Sequence, residues 1–295
     1  MFWDFSHLIS PIAGGLGHVF ADSGGPLWLI PNIDVSPTPL FSVLGFQVTN
    51  TLVEAWLAMA IVLFLFIGAT RKMSVIPKGL QNFVEWATLL LIDFCEEVAG
   101  KKWGRKFFPF VATIFFFVLF ANWSSILPGV DSFGTPNPGT HPVWGIFLVG
   151  NDSNKFTPWL RPASTDLNFT LTLAIISVVV TQIYGFRTLG AGAHIGKYIN
   201  FKGPIDFVVG LLEIIAEFAR IISFSFRLFG NVFAGDVLLL LLGTLLPWVG
   251  ATIFYPLELF VGFIQAFVFA ALTLIFLSLA VTSHDEEHSD EKAHA

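Results

Sequence analysis

Apolar residues fill five long stretches of this chain, at 51–70, 107–127, 167–186, 207–246 and 248–282, with polar punctuation between them. A hydrocarbon core ~30 Å thick is spanned by about 20 apolar helical residues, so each stretch is predicted to cross a membrane. A sixth segment, 79–99, is apolar in its middle but carries Glu85, Asp93, Glu96 and Glu97, and runs into Lys101, Lys102, Arg105 and Lys106. That pattern predicts an amphipathic helix lying at the membrane interface; a sixth crossing is the alternative, disfavoured because the charge-poor core is short. The expected fold class is therefore an all-α polytopic membrane protein, with five transmembrane helices plus one interfacial amphipathic helix.

The last two stretches are unusually long. Residues 207–246 contain no proline, and as one helix they measure roughly 60 Å at 1.5 Å per residue, twice the bilayer core. Such a helix must tilt strongly or break near Gly230, and the return run after Pro247 then makes a long, strongly tilted hairpin with it. Residues 1–50, rich in proline and glycine, are expected to form a leader with at most short helical or strand pieces. No basic residue precedes its apolar ones, so it is a poor match to a cleaved signal peptide. Residues 51–282 make the membrane domain, and 283–295 a solvated tail.

Basic residues alternate between the ends of the spans. Arg71 and Lys72, the 101–106 group, and Arg187, Lys197 and Lys202 mark one side; the 128–166 loop has only Lys155 and Arg161. By the positive-inside rule the N-terminus is outside and the C-terminus cytoplasmic. Composition agrees with a membrane protein: 55% of residues are hydrophobic, only 12% are charged, and 34 phenylalanines and 9 tryptophans supply lipid-facing bulk and interface anchors. The net charge of −6 resides mostly in the ends and says little about partners. The lone Cys95 reads as a small buried apolar side chain, and His284 and His288 lie in the tail, so no metal site is expected.

The 207–246 stretch carries the candidate chemistry. Glu213, Glu217, Arg220, Phe224, Arg227 and Asn231 follow at intervals of four, three, four, three and four, which places them on one helical stripe. An arginine at hydrocarbon depth costs at least ~2.5 kcal/mol, so each needs a partner. Arg220 has Glu217 and Glu213 within reach, and a gluing and a functional role both stay open. Arg227 has no acid three or four positions away, so its partner lies on another helix or another chain. Asp236, nine residues on, is half a turn round and roughly 13 Å along the axis, and serves a different surface. Ser223, Ser225, Gly230, Ala234 and Gly235 keep the helix slim near Arg227. Glu258 and Gln265, seven apart, share a face of the last helix.

Other chemistries find little support. GAGAHIGKY at 190–198 fails the P-loop pattern at Ala191 and Tyr198, and neither HExxH nor GxSxG occurs. A voltage sensor needs repeating arginines. An autonomous secondary ion transporter with an intramembrane charge relay is the main rival, but it usually shows two related halves, and no such repeat is seen.

The motif FRLFGNVFAGD at 226–236, with FIQAFVFAALTLIFLSLA at 263–280, resembles subunit a of the F-type ATP synthase; RPASTDLNFTL at 161–171 and NWSSILP at 122–128 match weaker patterns of that family. The resemblance covers about 50–282. It implies a non-catalytic stator subunit with two offset aqueous half-channels that pass protons or sodium ions to and from carboxylates of a rotating c-ring. Arg227 falls on the family's essential arginine, the electrostatic gate. Asn231 and Asp236 fall on the polar and acidic positions after it, the acid more often being Glu in the family. Glu213, Glu217 and Arg220 border the inner access path, Gln265 packs near the arginine, and Glu258, Asp236 and Asn122 line the outer path, with Asp166 and Asn168 a polar pair opening the preceding span. The partners implied are the c-subunit ring, the peripheral-stalk b subunits, the soluble ATPase head and the lipid bilayer, with no cofactor and no nucleic acid. The location implied is an energy-transducing membrane, the bacterial inner membrane foremost.

Overall fold

The computed structural model describes residues 37–43, 46–71, 73–124, 126–127, 134–136, 156–190, 196, 204–245 and 247–281. Most of the leader, most of the 128–155 loop, most of the 191–203 connection and the tail lie outside the described residues. Among those described there are five α-helices: α1 (Asn50–Thr70), α2 (Leu80–Ser124), α3 (Leu167–Leu189), α4 (Pro204–Leu245) and α5 (Pro247–Val281). Two small antiparallel pairs accompany them, β1 (Pro39–Val43) with β2 (Phe46–Thr49), and β3 (Gly134–Pro136) with β4 (Phe156–Pro158), and a 3₁₀ turn covers Ala163–Thr165.

By length and composition, four of the described helical segments suffice to cross a membrane: Asn50–Thr70, Leu80–Ser124, Leu167–Leu189 and Thr252–Val281. The chain is thus a helical, multi-pass membrane protein. Large side chains stand uncovered along these helices, Phe64 at 82% and Leu63 at 54% exposure among them, as a lipid-facing surface requires.

The helix boundaries have local causes. Thr49 Oγ1 accepts the Leu52 N–H at 3.4 Å, and Asn50 Oδ1 accepts those of Thr38 and Thr51 at 3.3 and 3.0 Å, so the β1–β2 pair is tied to the start of α1. The predicted 107–127 span ends as helix at Ser124, since Pro128 disfavours helical geometry just ahead of it. Pro204 and Pro247 open α4 and α5, where a missing N–H costs nothing.

Within α2 the helix breaks at Gly100, whose φ of 73° and ψ of 160° suit only glycine. In a continuous helix Glu96 and Arg105 would stand ~13 Å apart. Here Arg105 Nε donates to Glu96 Oε1 at 2.5 Å, and a Cβ on Gly104 would strike the Cys95 carbonyl group and lie 2.7 Å from Glu96 Cα. The arms on either side of Gly100 therefore fold back on one another. The break falls between the acidic 79–99 segment and the apolar run that follows Lys106.

Contacts divide the chain into two compact units. The first takes residues through Leu63, Phe117–Thr170 and Phe226–Ala266; the second takes Phe64–Phe116, Leu171–Ser225 and residues from Phe267 on. In the second, Phe107 meets Tyr184 edge-on at 5.1 Å, Ser177 and Thr273 share a hydrogen bond of 2.9 Å, and Phe224 packs on Phe269 and Phe276. In the first, Gly235 faces Glu258 and Asn231 faces Gln265, so pairing advances along α5 as it retreats along α4. Within this unit, the segments of α4 and α5 between Phe226 and Ala266 form an antiparallel hairpin.

Candidate functional site

Arg227 stands on α4 in the first unit. Leu228 and Val232 on the same helix are buried, which fixes the packed face, and Arg227 flanks it partly covered. Among the described residues Arg227 makes no ion pair or hydrogen bond. Gly230 and Ala234 follow it at helical spacing; a Cβ on Gly230 would meet nothing within 4 Å, and Ala234 is exposed. The arginine therefore sits, among the described residues, on a slim and partly open stripe.

One turn on, Asn231 Nδ2 donates to Gln265 Oε1 at 2.5 Å, joining α4 to α5. Gln265 is only 4% exposed, and its Nε2 has no hydrogen-bond partner among the described residues. A further turn along, the Glu258 carboxylate lies against the backbone of α4 at Gly235, in a space that any Cβ would fill. The adjacent Asp236 is partly buried. Small residues in this segment thus admit an acid from the neighbouring helix.

Asn122, 2% exposed, donates from Nδ2 to the Gly262 carbonyl at 3.1 Å and accepts the Ser164 hydroxyl at 2.8 Å. Trp123 Nε1 donates to the Leu259 carbonyl at 3.0 Å. Asp166 caps α3: its Oδ1 accepts the Asn168 N–H at 2.9 Å, its Oδ2 the Thr51 hydroxyl at 3.0 Å. Both of its oxygens are used in holding the turn, and the Asn168 side chain is exposed, so the pair read together in the sequence divides into a buried cap and a surface amide.

Arg220 belongs to the second unit. Its Nη1 donates to Glu217 Oε1 and Oε2 at 2.9 and 2.8 Å, and the guanidinium lies 3.8 Å from the centre of the Phe276 ring. Of the two acids within reach, Glu217 is the partner. The pair is three residues apart on one helix, partly buried, and reinforced by the aromatic face. Glu213, one turn earlier, is also partly buried.

One buried carboxylate was not singled out by the spacing. Glu54, on the second turn of α1, has no exposed surface. The Ser124 hydroxyl donates to its Oε1 and the Ala163 N–H to its Oε2, the latter at 2.8 Å. The available signal is a lone acid inside an apolar span, which is functional by default in a membrane.

The geometry defines a polytopic helical membrane protein with ionisable groups arrayed along an antiparallel helix pair. The comparisons narrow that class. A family model described as ATP synthase A chain matches residues 52–278. The ATP synthase subunit a of Helicobacter hepaticus is 35% identical over 235 residues, which cover 79% of this chain and 89% of that relative. The subunit a of Helicobacter pylori strain P12 is 32% identical over the same length, and that of Moorella thermoacetica 30% over 250 residues, 85% of this chain and 99% of its own. The chain belongs to the ATP synthase A chain family, and its place is in the membrane part of that complex as a non-catalytic, ion-translocating subunit.

Proposed function

We propose that this chain is the stator of a rotary ATP synthase, providing two offset aqueous half-channels to the carboxylates of a rotating c-ring, with Arg227 as the gate between them. The observation that carries this reading is a partly covered arginine with no partner among the described residues, on a slim face of α4 where a Cβ on Gly230 would meet nothing and Ala234 is exposed. An intramembrane cation in that position calls for an anion from another chain. Arginine stays protonated at any working pH, so it attracts a ring carboxylate and favours its ionised form without carrying the proton itself.

In this reading Glu258, Asp236 and Asn122 line the outer path, with Asp166 and Asn168 at its mouth, while Glu213, Glu217 and Arg220 line the inner one. Asn231 and Gln265 hold the α4–α5 hairpin in register beside Arg227. Five crossings, an interfacial helix at 79–99 and a strongly tilted hairpin at the ring complete the membrane domain. The 1–50 leader is outside and the tail inside. The c-ring, the b subunits of the peripheral stalk and the soluble ATPase head are the partners, in a bacterial inner membrane. A potential of ~100 mV supplies roughly 2.3 kcal/mol per charge, so several protons or sodium ions drive each ATP and a leak past Arg227 wastes them.

Replacing Arg227 with alanine tests the reading in vesicles carrying the assembled complex. ATP synthesis driven by an imposed gradient is expected to vanish while the soluble head keeps hydrolysing ATP. Coupled synthesis at the parental rate refutes the gate.

A further inference from the structure

We propose that Glu54 is a proton-carrying station on the outer path, an inference that rests on the half-channel reading above. The carboxylate is wholly buried, yet its surroundings suit both of its protonation states. As an anion it accepts from the Ser124 hydroxyl at Oε1 and from the Ala163 N–H at Oε2. When a proton sits on Oε1, that O–H donates to Ser124 Oγ. The Ser124 hydroxyl then turns to the Ala121 carbonyl, which already lies 3.0 Å away. The Ala163 N–H keeps Oε2 in either state. No donor is left unsatisfied by the change, so neither form pays the cost of a stranded buried polar group.

Asp166 has the same kind of partners, a backbone N–H on one oxygen and the Thr51 hydroxyl on the other, but there they hold the cap of α3. Thr51 is also one turn from Glu54 on α1, so the two acids border the same buried polar region. The charged residues on the elements touching Glu54 are Arg161 and Asp166 beside the 3₁₀ turn; the 107–124 part of α2 has none. The route onward is short. Ala163, which holds Glu54, precedes Ser164, which donates to Asn122, which in turn reaches Gly262 on α5, one turn from Glu258. The step itself is a simple exchange that requires water to enter beside the buried carboxylate: Glu54 takes a proton from a hydronium ion that came from the outer phase, leaving water, and later gives it to another water, which becomes hydronium.

The test is ATP synthesis by the whole complex in vesicles, driven by an imposed gradient and followed against pH on the entry side. Glu54→Gln is expected to lower the rate at least ~10-fold in an assembled complex. Glu54→Asp, which keeps the proton site but moves it, and Ser124→Ala, which removes the reversible partner, are expected to shift the pH profile; the aspartate variant decides the matter where the glutamine variant does not assemble. Parental rates and profiles in Glu54→Gln and Glu54→Asp overturn the proposal. So does loss of this chain from the complex in all three variants, which marks a structural latch. Arg227→Ala in the same vesicles separates the two readings: synthesis retained there refutes the half-channel account itself, whereas synthesis lost there but unaffected by Glu54→Gln removes only the station.

Discussion

Asn231 and Gln265 offer a quantitative handle on the α4–α5 hairpin. Replacing either with leucine removes the 2.5 Å hydrogen bond that joins the two helices. Interhelical hydrogen bonds in membranes average about 0.6 kcal/mol and reach about 1.7 kcal/mol in double-mutant cycles. The whole of that range bounds the effect here, where Gln265 is almost fully buried and finds no water when its partner goes. Expressed as a rate, that coupling is about 3- to 18-fold. The assay is the initial rate of ATP-driven ion pumping by four complexes: parent, Asn231→Leu, Gln265→Leu and the double variant. If the bond sets the register beside Arg227, the second substitution adds little to the first, and the double variant pumps about 3- to 18-fold faster than the product of the two single losses. Strict multiplication of the two losses, in assembled complexes, refutes a shared role.

The remaining expectations concern the folded-back arms of α2 and the outer acid. A valine at Gly104 cannot fit against the Cys95 and Glu96 backbone and is expected to destabilise the corner by ~1–3 kcal/mol; spin labels at positions 96 and 105 report the arms separating, and an unchanged spectrum contradicts the tight corner. Glu258→Gln is expected to slow ion entry from outside several-fold while the subunit still assembles, read as passive conduction in vesicles stripped of the soluble head; conduction at the parental rate removes Glu258 from the path.

What the sequence disclosed, and what it hid, follows from the kind of signal each feature leaves. Lipid demands continuous apolar runs, so the helices stand out by length alone, and the prolines at 204 and 247 mark the openings of α4 and α5. Helical spacing also exposes Arg227 as lacking a local acid, since reach along one helix is limited to three or four residues. It puts Glu217 three residues and Glu213 two turns from Arg220 on one stripe, and the direct contact with Glu217, beside the Phe276 ring, shows which is used. Spacing is silent on partners that meet across helices. Glu54 meets Ser124 and Ala163 at separations of 70 and 109 residues, and no periodicity within α1 records that. The role of Gly235 is hidden in the same way, because its smallness matters only to Glu258 on α5. At Gly100 the difficulty is different: glycine signals a possible break, but the fold-back emerges only when Glu96 and Arg105 are seen to touch.

A density map of the assembled complex, read at the guanidinium of Arg227, puts the proposed gate to its hardest test. The group is expected to face a carboxylate contributed by a neighbouring chain, across the slim stripe of Gly230 and Ala234. A guanidinium turned to lipid, or bonded to an acid of its own chain with no ring beside it, would contradict it.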